Sequence, residues 1–298
     1  VGTVAVGDMV TGTGRLGVVL VGVDGTPEAR LAADWAATEA ELRGGALQIT
    51  HAVGRGTDRA HGGTAVGLTD QALAAALAVL DDARARLGAA TTGVPIDTHL
   101  ARDDPSSALL AASAGADLVV VGTRGRGGFA GLLLGSVSLK VAAHADRPVV
   151  VVRGDTEKPA GRDIVVGVRD ERDAEAVRFA LVEAELHQVG VRLVHAWTPL
   201  GGTGLMVPRI SHVEEEREAH AQLLNHVARP VAEHPTVGLE TELTVDSPAA
   251  ALVEASARAR LLVLPRHPVE GRLGLPLGTV VHAVLHHANC PVAVVPVG

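Results

Sequence analysis

Four residues at fixed intervals carry the clearest chemistry in the sequence: Gly122, Gly125, Gly135 and Ser136, within VVVGTRGRGGFAGLLLGSVSLK (119–140). A β-branched run ends at Gly122, nine residues separate Gly125 from Gly135, and Gly135-Ser136 opens a helical segment. Glycines let backbone N–H groups approach an anion closely and turn through positive φ. A helix starting at Ser136 adds unpaired N–H groups and the positive end of its dipole. Ser136 and Ser138 add hydroxyl donors. The chemistry that follows is phosphate binding. The competing reading is a tight surface loop, but a loop needs neither this many glycines nor a serine at the helix start. Asp24 lies just past an earlier strand-like run. In a parallel sheet it faces the same crevice, where its carboxylate can accept hydrogen bonds from ribose hydroxyls.

Bringing residues 24, 122 and 136 together requires alternating strands and helices. Residues 17–23 are a β-branched run of strand length. Thr26 offers an N-cap and Pro27 an N1 residue for a helix to about Arg43. Residues 46–52, 96–101, 118–122 and 149–152 read as further strands. Leu73, Leu77, Leu80 and Leu87 give helical spacing across 69–87. Asp104-Pro105 starts a short helix ending at Gly115, and 136–143 is another. Strands without clean alternation, separated by helices, predict a parallel sheet covered on both faces.

The pattern then repeats. Residues 18–53 align with 164–197, placing His51 opposite His195. Gly135-Ser136 and Pro148 answer to Gly278-Thr279 and Pro291, each 143 residues on. The predicted fold is α/β: two tandem doubly wound domains, each a five-stranded parallel sheet with helices on both faces. Residues 1–15 read as a flexible leader, 16–153 as domain one, the polar GDTEKPAGR (154–162) as a linker and 163–298 as domain two. Residues 54–65 are Gly-rich and read as mobile.

Composition narrows the function. Of 298 residues, 47% are hydrophobic and 20% charged, which excludes a disordered chain. With two Phe, two Trp and no Tyr, stacking platforms for single-stranded nucleic acid are not expected. A net charge of −8 disfavours diffuse binding to a phosphate backbone, so no nucleic-acid partner is expected. Cys290 is the single cysteine, ruling out an internal disulfide and a Cys-based zinc site, and reads as a packed thiol. No apolar run reaches the roughly 18 residues of a membrane span. The apolar N-terminus carries Asp8 without a basic n-region and does not read as a signal peptide, so the expected location is cytoplasmic.

At this point the sequence resembles the universal stress protein family, in its ATP-binding subclass with the pattern G-2x-G-9x-G-[S/T]. Gly122, Gly125, Gly135 and Ser136 fit that pattern without a gap, and the strand-one VGVD, the His51 turn and the closing RPVVVV strand belong to the same likeness. It covers essentially the whole chain as a tandem, with a fold of the adenine nucleotide alpha hydrolase type. The resemblance implies that Val23 and Asp24 lie near adenine and ribose, and that Ala52 contacts adenine. It implies that Gly122, Thr123, Arg124 and Gly125 line ribose and phosphates. Gly135, Ser136, Val137 and Ser138 would hold the β- and γ-phosphates of ATP, with Mg²⁺ or Mn²⁺ alongside. It implies a stress-response regulator or sensor acting on an unidentified protein partner. No general base is evident beside the phosphates, so ATPase activity is expected to be weak at most. A nucleotide hydrolase or nucleotidyl-transfer enzyme and a nucleotide-free scaffold are the alternatives. In the family the fifth strands dimerise, so 149–152 and 292–295 are expected to join the two domains as a pseudo-dimer, and edge strands to join two chains as a homodimer.

Domain two departs from the motif. Pro265 and Pro268 stand where Gly122 and Gly125 stand in domain one, while Gly271, Gly274, Gly278 and Thr279 remain. Asp24 corresponds to Arg169 or Asp170, depending on a one-residue gap. Proline removes an N–H and cannot supply positive φ. Other signals are weaker. The GxGxxG at Gly12, Gly14 and Gly17 precedes a strand and reads as leader, and no P-loop signature exists. His282 and His286 have metal-ligand spacing but no nearby acidic third ligand, so no metal site is predicted. His212, His220 and His226 read as solvated on a charged helix, as does the Glu214–Glu218 run. His51 and His195 read as structural hydrogen bonders at strand ends.

Overall fold

A computed structural model describes residues 17–54, 70–125, 134–153, 163–198, 210–268 and 277–298. The leader, the Gly-rich stretch after residue 54, the linker, residues 126–133 of the glycine loop, and Gly271 and Gly274 lie outside the described residues. So do Gly12 and Gly14, whereas Gly17 immediately precedes a strand.

Domain one runs β1 (Val18–Gly22), α1 (Pro27–Leu42), β2 (Ala46–Ala52), α2 (Asp70–Ala90), β3 (Ile96–Ala101), α3 (Pro105–Ser113), β4 (Leu118–Gly122), α4 (Ser136–His144) and β5 (Val149–Val152). Domain two repeats it: β6 (Asp163–Gly167), α5 (Ala174–His187), β7 (Gly190–Trp197), α6 (Ile210–Val227), β8 (Leu239–Val245), α7 (Pro248–Ser256), β9 (Ala259–Arg266), α8 (Thr279–His287) and β10 (Val292–Pro296). Local chemistry sets the helix starts. The Thr26 hydroxyl accepts from the Ala29 N–H and Pro27 occupies the first helical turn, as the sequence predicts. Ala29, Ala32, Ala33, Ala36, Ala37 and Ala40 form the buried stripe of α1. These small side chains let the helix lie close on the valine-rich strands.

The strand order is β3-β2-β1-β4-β5-β10-β9-β6-β7-β8, a single ten-stranded sheet. Every pairing is parallel except β5 with β10, where Val151 opposes Val292 and Val149 opposes Val294. The predicted pseudo-dimer is therefore made within one chain. One apolar face packs under α1, α2, α5 and α6, the other under α3, α4, α7 and α8, and both run through the two domains. Two arginines lock the junction further. Arg153, just past β5, donates to the carbonyls of Leu285 and His286 at the end of α8. Arg266, ending β9, donates to those of Ala143 and Ala145 at the end of α4. Burial lowers the pKa of both guanidinium groups.

Because β5 and β10 already pair with each other, a homodimer through the fifth strands would have to undo the intrachain pair. The remaining edges, β3 and β8, carry Asp97, His99, Glu240 and Glu242, side chains that discourage strand addition.

The starts of α3 and α7 differ as their sequences do. The Asp104 carboxylate accepts from the Ser107 N–H at 3.2 Å, whereas Ser247 makes no side-chain cap bond. Hydrogen bonds from Ser106 and the Ser107 backbone hold the Asp104 carboxyl below its ordinary range. Asp104→Ala should cost about 1 kcal/mol, the usual worth of an N-cap, and Ser247→Ala close to nothing. The gap between them should close as pH falls below the ordinary carboxylate range, because a depressed pKa contributes stability only above it. Urea midpoints at pH 7 and pH 3 measure both.

Candidate functional site

In each half the order of strands reverses between the first and fourth, so the crevice opens at the carboxyl ends of β1 and β4 in domain one and of β6 and β9 in domain two. Val23 leaves β1 buried, its N–H donating to the Thr50 carbonyl at 2.9 Å. Its carbonyl accepts from Nδ1 of His51 at 2.6 Å. The sequence-predicted structural role of His51 is thus what the structure displays, and the bond fixes the ring's tautomer. Ala52 ends β2 beside this turn, half-buried.

Asp24 follows. Its Oδ1 accepts from the backbone and hydroxyl of Thr26 at 3.0 and 2.6 Å, which ties the carboxylate to the start of α1. Its Oδ2 faces Gly125 so closely that a Cβ there would sit 2.5 Å away. A Cβ on Gly122 would meet the Glu28 carbonyl oxygen at 2.7 Å, so β4 abuts the first turn of α1 through bare backbone. A Cβ on Gly135 would stand 3.3 Å from the Thr123 carbonyl oxygen, and the Gly135 N–H donates to that oxygen at 2.6 Å. The two ends of the motif, separated by 126–133, are therefore clasped together beside Asp24.

Two expected donors have other tasks. The Ser138 hydroxyl donates to the Gly122 carbonyl at 2.6 Å and is buried, so it closes the loop and does not face a phosphate. The Gly135 N–H is spent on Thr123. Ser136 is exposed, and the first-turn N–H groups of α4 at Ser136, Val137 and Ser138 have no partner within the helix. Arg124 is half-exposed, and its guanidinium is held 2.9 Å from Glu28.

Domain two builds the same turn with different residues. Val168 donates to the Val194 carbonyl at 2.9 Å and accepts from His195 Nδ1 at 2.8 Å, repeating both bonds of Val23. This register settles the gap left open by the sequence: Arg169, not Asp170, stands where Asp24 stands. The charge is reversed. Pro265 lies within β9, and a 3-10 turn (Glu171–Asp173) delays the start of α5. Gly278 caps α8 at φ +69°. A cavity of about 740 Å³ opens here, walled by Leu252, Pro265 and Thr279 and edged by Arg169, Arg172 and His267.

His220 is a correction. It is half-buried, its ring 4.7 Å from those of both His195 and Trp197, with Nδ1 2.9 Å from His195 Nε2. Since His195 donates through Nδ1, its Nε2 accepts, and His220 is the donor. Burial and the neighbouring His195 lower the His220 pKa. His212 lies outside the described side chains, and Glu214 and Glu215 are exposed as expected. Cys290 is buried, its thiol pushed up to about 12 by that burial. His282 and His286 stack with ring centroids 4.6 Å apart. Sequence reasoning missed the cluster Asp170, Asp173 and His267, because His267 stands far along the chain from the two aspartates. It also missed a buried network of Glu39, Arg43, Glu183, His187 and Arg260 between the domains.

The universal stress protein family profile matches residues 16–153 and 161–296. Universal stress protein Rv2005c of Mycobacterium tuberculosis is 32% identical over 285 residues, covering 93% of this chain and 96% of that protein. Universal stress protein Rv2623 of the same species is 30% identical over 302 residues, covering 96% and 98%. Among solved structures, a universal stress protein from Archaeoglobus fulgidus DSM 4304 superposes with a TM-score of 0.67 at 15% identity, covering 95% of this chain and 97% of that one. No described helix is long and apolar enough to cross a membrane. The chain belongs to the universal stress protein family, as a tandem of two such domains.

Proposed function

We propose that domain one binds ATP at the carboxyl ends of β1 and β4, and that the protein is a nucleotide-responsive regulator of a partner protein. The observation that carries this is the clasp of Gly122–Gly125 to Gly135 beside Asp24. It sets a carboxylate at one end of the crevice and a helix N-terminus at the other, matching ribose and phosphates. Val23 and Ala52 supply an aliphatic wall for adenine in a chain nearly devoid of aromatics. Mg²⁺ or Mn²⁺ would be bound through the phosphates. Asp24 is engaged in the α1 cap and Glu28 pairs with Arg124, so neither is placed to activate water, which supports a binding role over turnover. In domain two Arg169 replaces the ribose-binding carboxylate and prolines replace two glycines, so the stoichiometry on this reading is one nucleotide per chain.

The test is calorimetry of the full chain with ATP and Mg²⁺. One site is expected, and Gly135→Glu, which puts bulk and negative charge at the phosphates, should abolish it. Unchanged affinity would sink the assignment. Multiple-turnover phosphate release faster than about 1 s⁻¹ would replace the regulator by a hydrolase.

A further inference from the structure

Asp170, Asp173 and His267 meet at the carboxyl ends of β6 and β9, and their ligand atoms all lie within 4.8 Å of one another. Asp173 is the centre of the argument. It is 0% exposed. Its Oδ2 accepts from the backbone N–H groups of Arg169 and Asp170, at 2.5 and 3.0 Å. Its Oδ1 is buried and has no hydrogen-bond partner. That oxygen lies 2.9 Å from Nε2 of His267, an ion-pair contact when the imidazole is protonated, but the two make no hydrogen bond, and Nδ1 has no hydrogen-bond partner either. Two buried polar atoms in contact without a shared hydrogen bond are costly unless a third group satisfies both. Two ligands bound about 2.0–2.1 Å from one tetrahedral ion stand about 3.3 Å apart, within a few tenths of an ångström of the 2.9 Å separation here.

The cluster is also held in place. Asp170 and Asp173 form a reciprocal capping box around the 3-10 turn, so both carboxylates are oriented by backbone amides. The Arg172–Asp170 ion pair is partly exposed, and pairs of that kind are weak competitors for a carboxylate. In domain one the positions of His267 and Asp173 are taken by Arg124 and Glu28, an ion pair, and no such ligand set is found there among the described residues.

We propose that Asp170, Asp173 and His267 form a site for a divalent first-row transition metal, with Zn²⁺ as the reference ion. One imidazole with two carboxylates suits such an ion better than Ca²⁺ or Mg²⁺, which favour all-oxygen shells. His267 also lines the 740 Å³ cavity. The fourth position therefore opens toward it, where water or the carboxylate or phosphate oxygen of an anionic ligand completes the shell. Arg169 and Arg172 on the cavity edge complement that charge.

The site is tested by titrating the full chain, free of nucleotide, with Zn²⁺ against a chromophoric chelator, and with Co²⁺ for its visible absorption. One equivalent is expected. His267→Ala should weaken it at least about tenfold, the lower bound for disturbing a metal's support, and should remove the Co²⁺ spectrum. Asp170→Asn, at a partly exposed position, should weaken it without altering the far-UV spectrum. His286→Ala should leave it intact. Equal binding by wild type and His267→Ala, binding lost in His286→Ala, or no binding by wild type would overturn the site.

Discussion

Replacing Arg43 with Met should cost about 3–5 kcal/mol at neutral pH, the range found when one partner of a buried ion pair is removed. Arg43 lies just past α1 and is 8% exposed, while Glu39 and Glu183 are 1% and 0% exposed. Its Nε donates to Glu39 Oε1 at 2.9 Å, and its Nη2 pairs with Glu183 of α5. Arg260 donates to Nδ1 of His187 at 3.0 Å, so the His187 Nε2–H faces Glu39, also at 3.0 Å. The two carboxyl groups are thus met by the Arg43 guanidinium and the His187 imidazole, with Arg260 orienting the imidazole, and the set spans both domains. Burial and the charge of Glu39 push the Glu183 carboxyl well above its ordinary range. Burial also opposes ionisation of Glu39, but the His187 hydrogen bond and Arg43 outweigh it and lower its pKa. The two carboxyls respond oppositely to pH. A raised pKa contributes stability that is complete below the ordinary carboxylate value of 4.5 and fades as pH rises through the raised value. A depressed pKa contributes above 4.5 and is lost as pH falls. Glu183→Gln keeps a neutral hydrogen-bonding group and should shift the stability maximum to higher pH. Urea unfolding followed by circular dichroism from pH 4 to 9 measures both variants. A loss below about 1 kcal/mol for Arg43→Met, the worth of an exposed pair, would contradict this account.

That network marks where sequence reading stops. The strands and helices were legible because hydrophobic runs, caps and prolines act within a few residues: β2 (Ala46–Ala52), β3 (Ile96–Ala101), β4 (Leu118–Gly122) and β5 (Val149–Val152) coincide with their predicted ranges. The duplication made the sheet's double form legible too, and the family resemblance implied which strands would join. Contacts between units have no such local signature. Glu39 and Glu183, or Arg153 and the end of α8, are brought together by the β5–β10 pairing and by nothing near them in the chain. The same limit applied to His220, whose helix is charged along its length yet turns that one ring onto Trp197. At the candidate site the glycine spacing marked the segments that the structure clasps together at Thr123 and Gly135. Which donors face outward depended on backbone geometry: Ser138 closes the loop while Ser136 is exposed, two positions apart on one helix.

Gly122 and Gly125 carry equal weight in the motif but different weight in the fold, and alanine at each should separate the two. At Gly122 the added Cβ would lie 2.7 Å from the carbonyl oxygen of Glu28, 2.9 Å from its carbonyl carbon and 3.2 Å from the Ala29 nitrogen. All three are backbone atoms in the first turn of α1, so the helix start must move. Overpacking of this kind costs about 1–3 kcal/mol. The shift also carries Thr26, and with it the hydrogen bonds that hold Asp24, away from the crevice. Gly122→Ala should therefore lose both stability and nucleotide affinity. At Gly125 the clash is with one atom, the Asp24 Oδ2 at 2.5 Å, at the end of a side chain that can rotate. Gly125→Ala should leave the stability within about 0.5 kcal/mol of wild type, because Gly125 is itself exposed and the clash falls on the end of one side chain. On the proposed reading its affinity for ATP should nevertheless fall, because the displaced carboxylate would no longer meet the ribose. Thermal unfolding with and without ATP reads both quantities from one sample. Equal loss of stability in the two variants, or wild-type affinity in either, would mean that the first turn of α1 does not hold Asp24 in place.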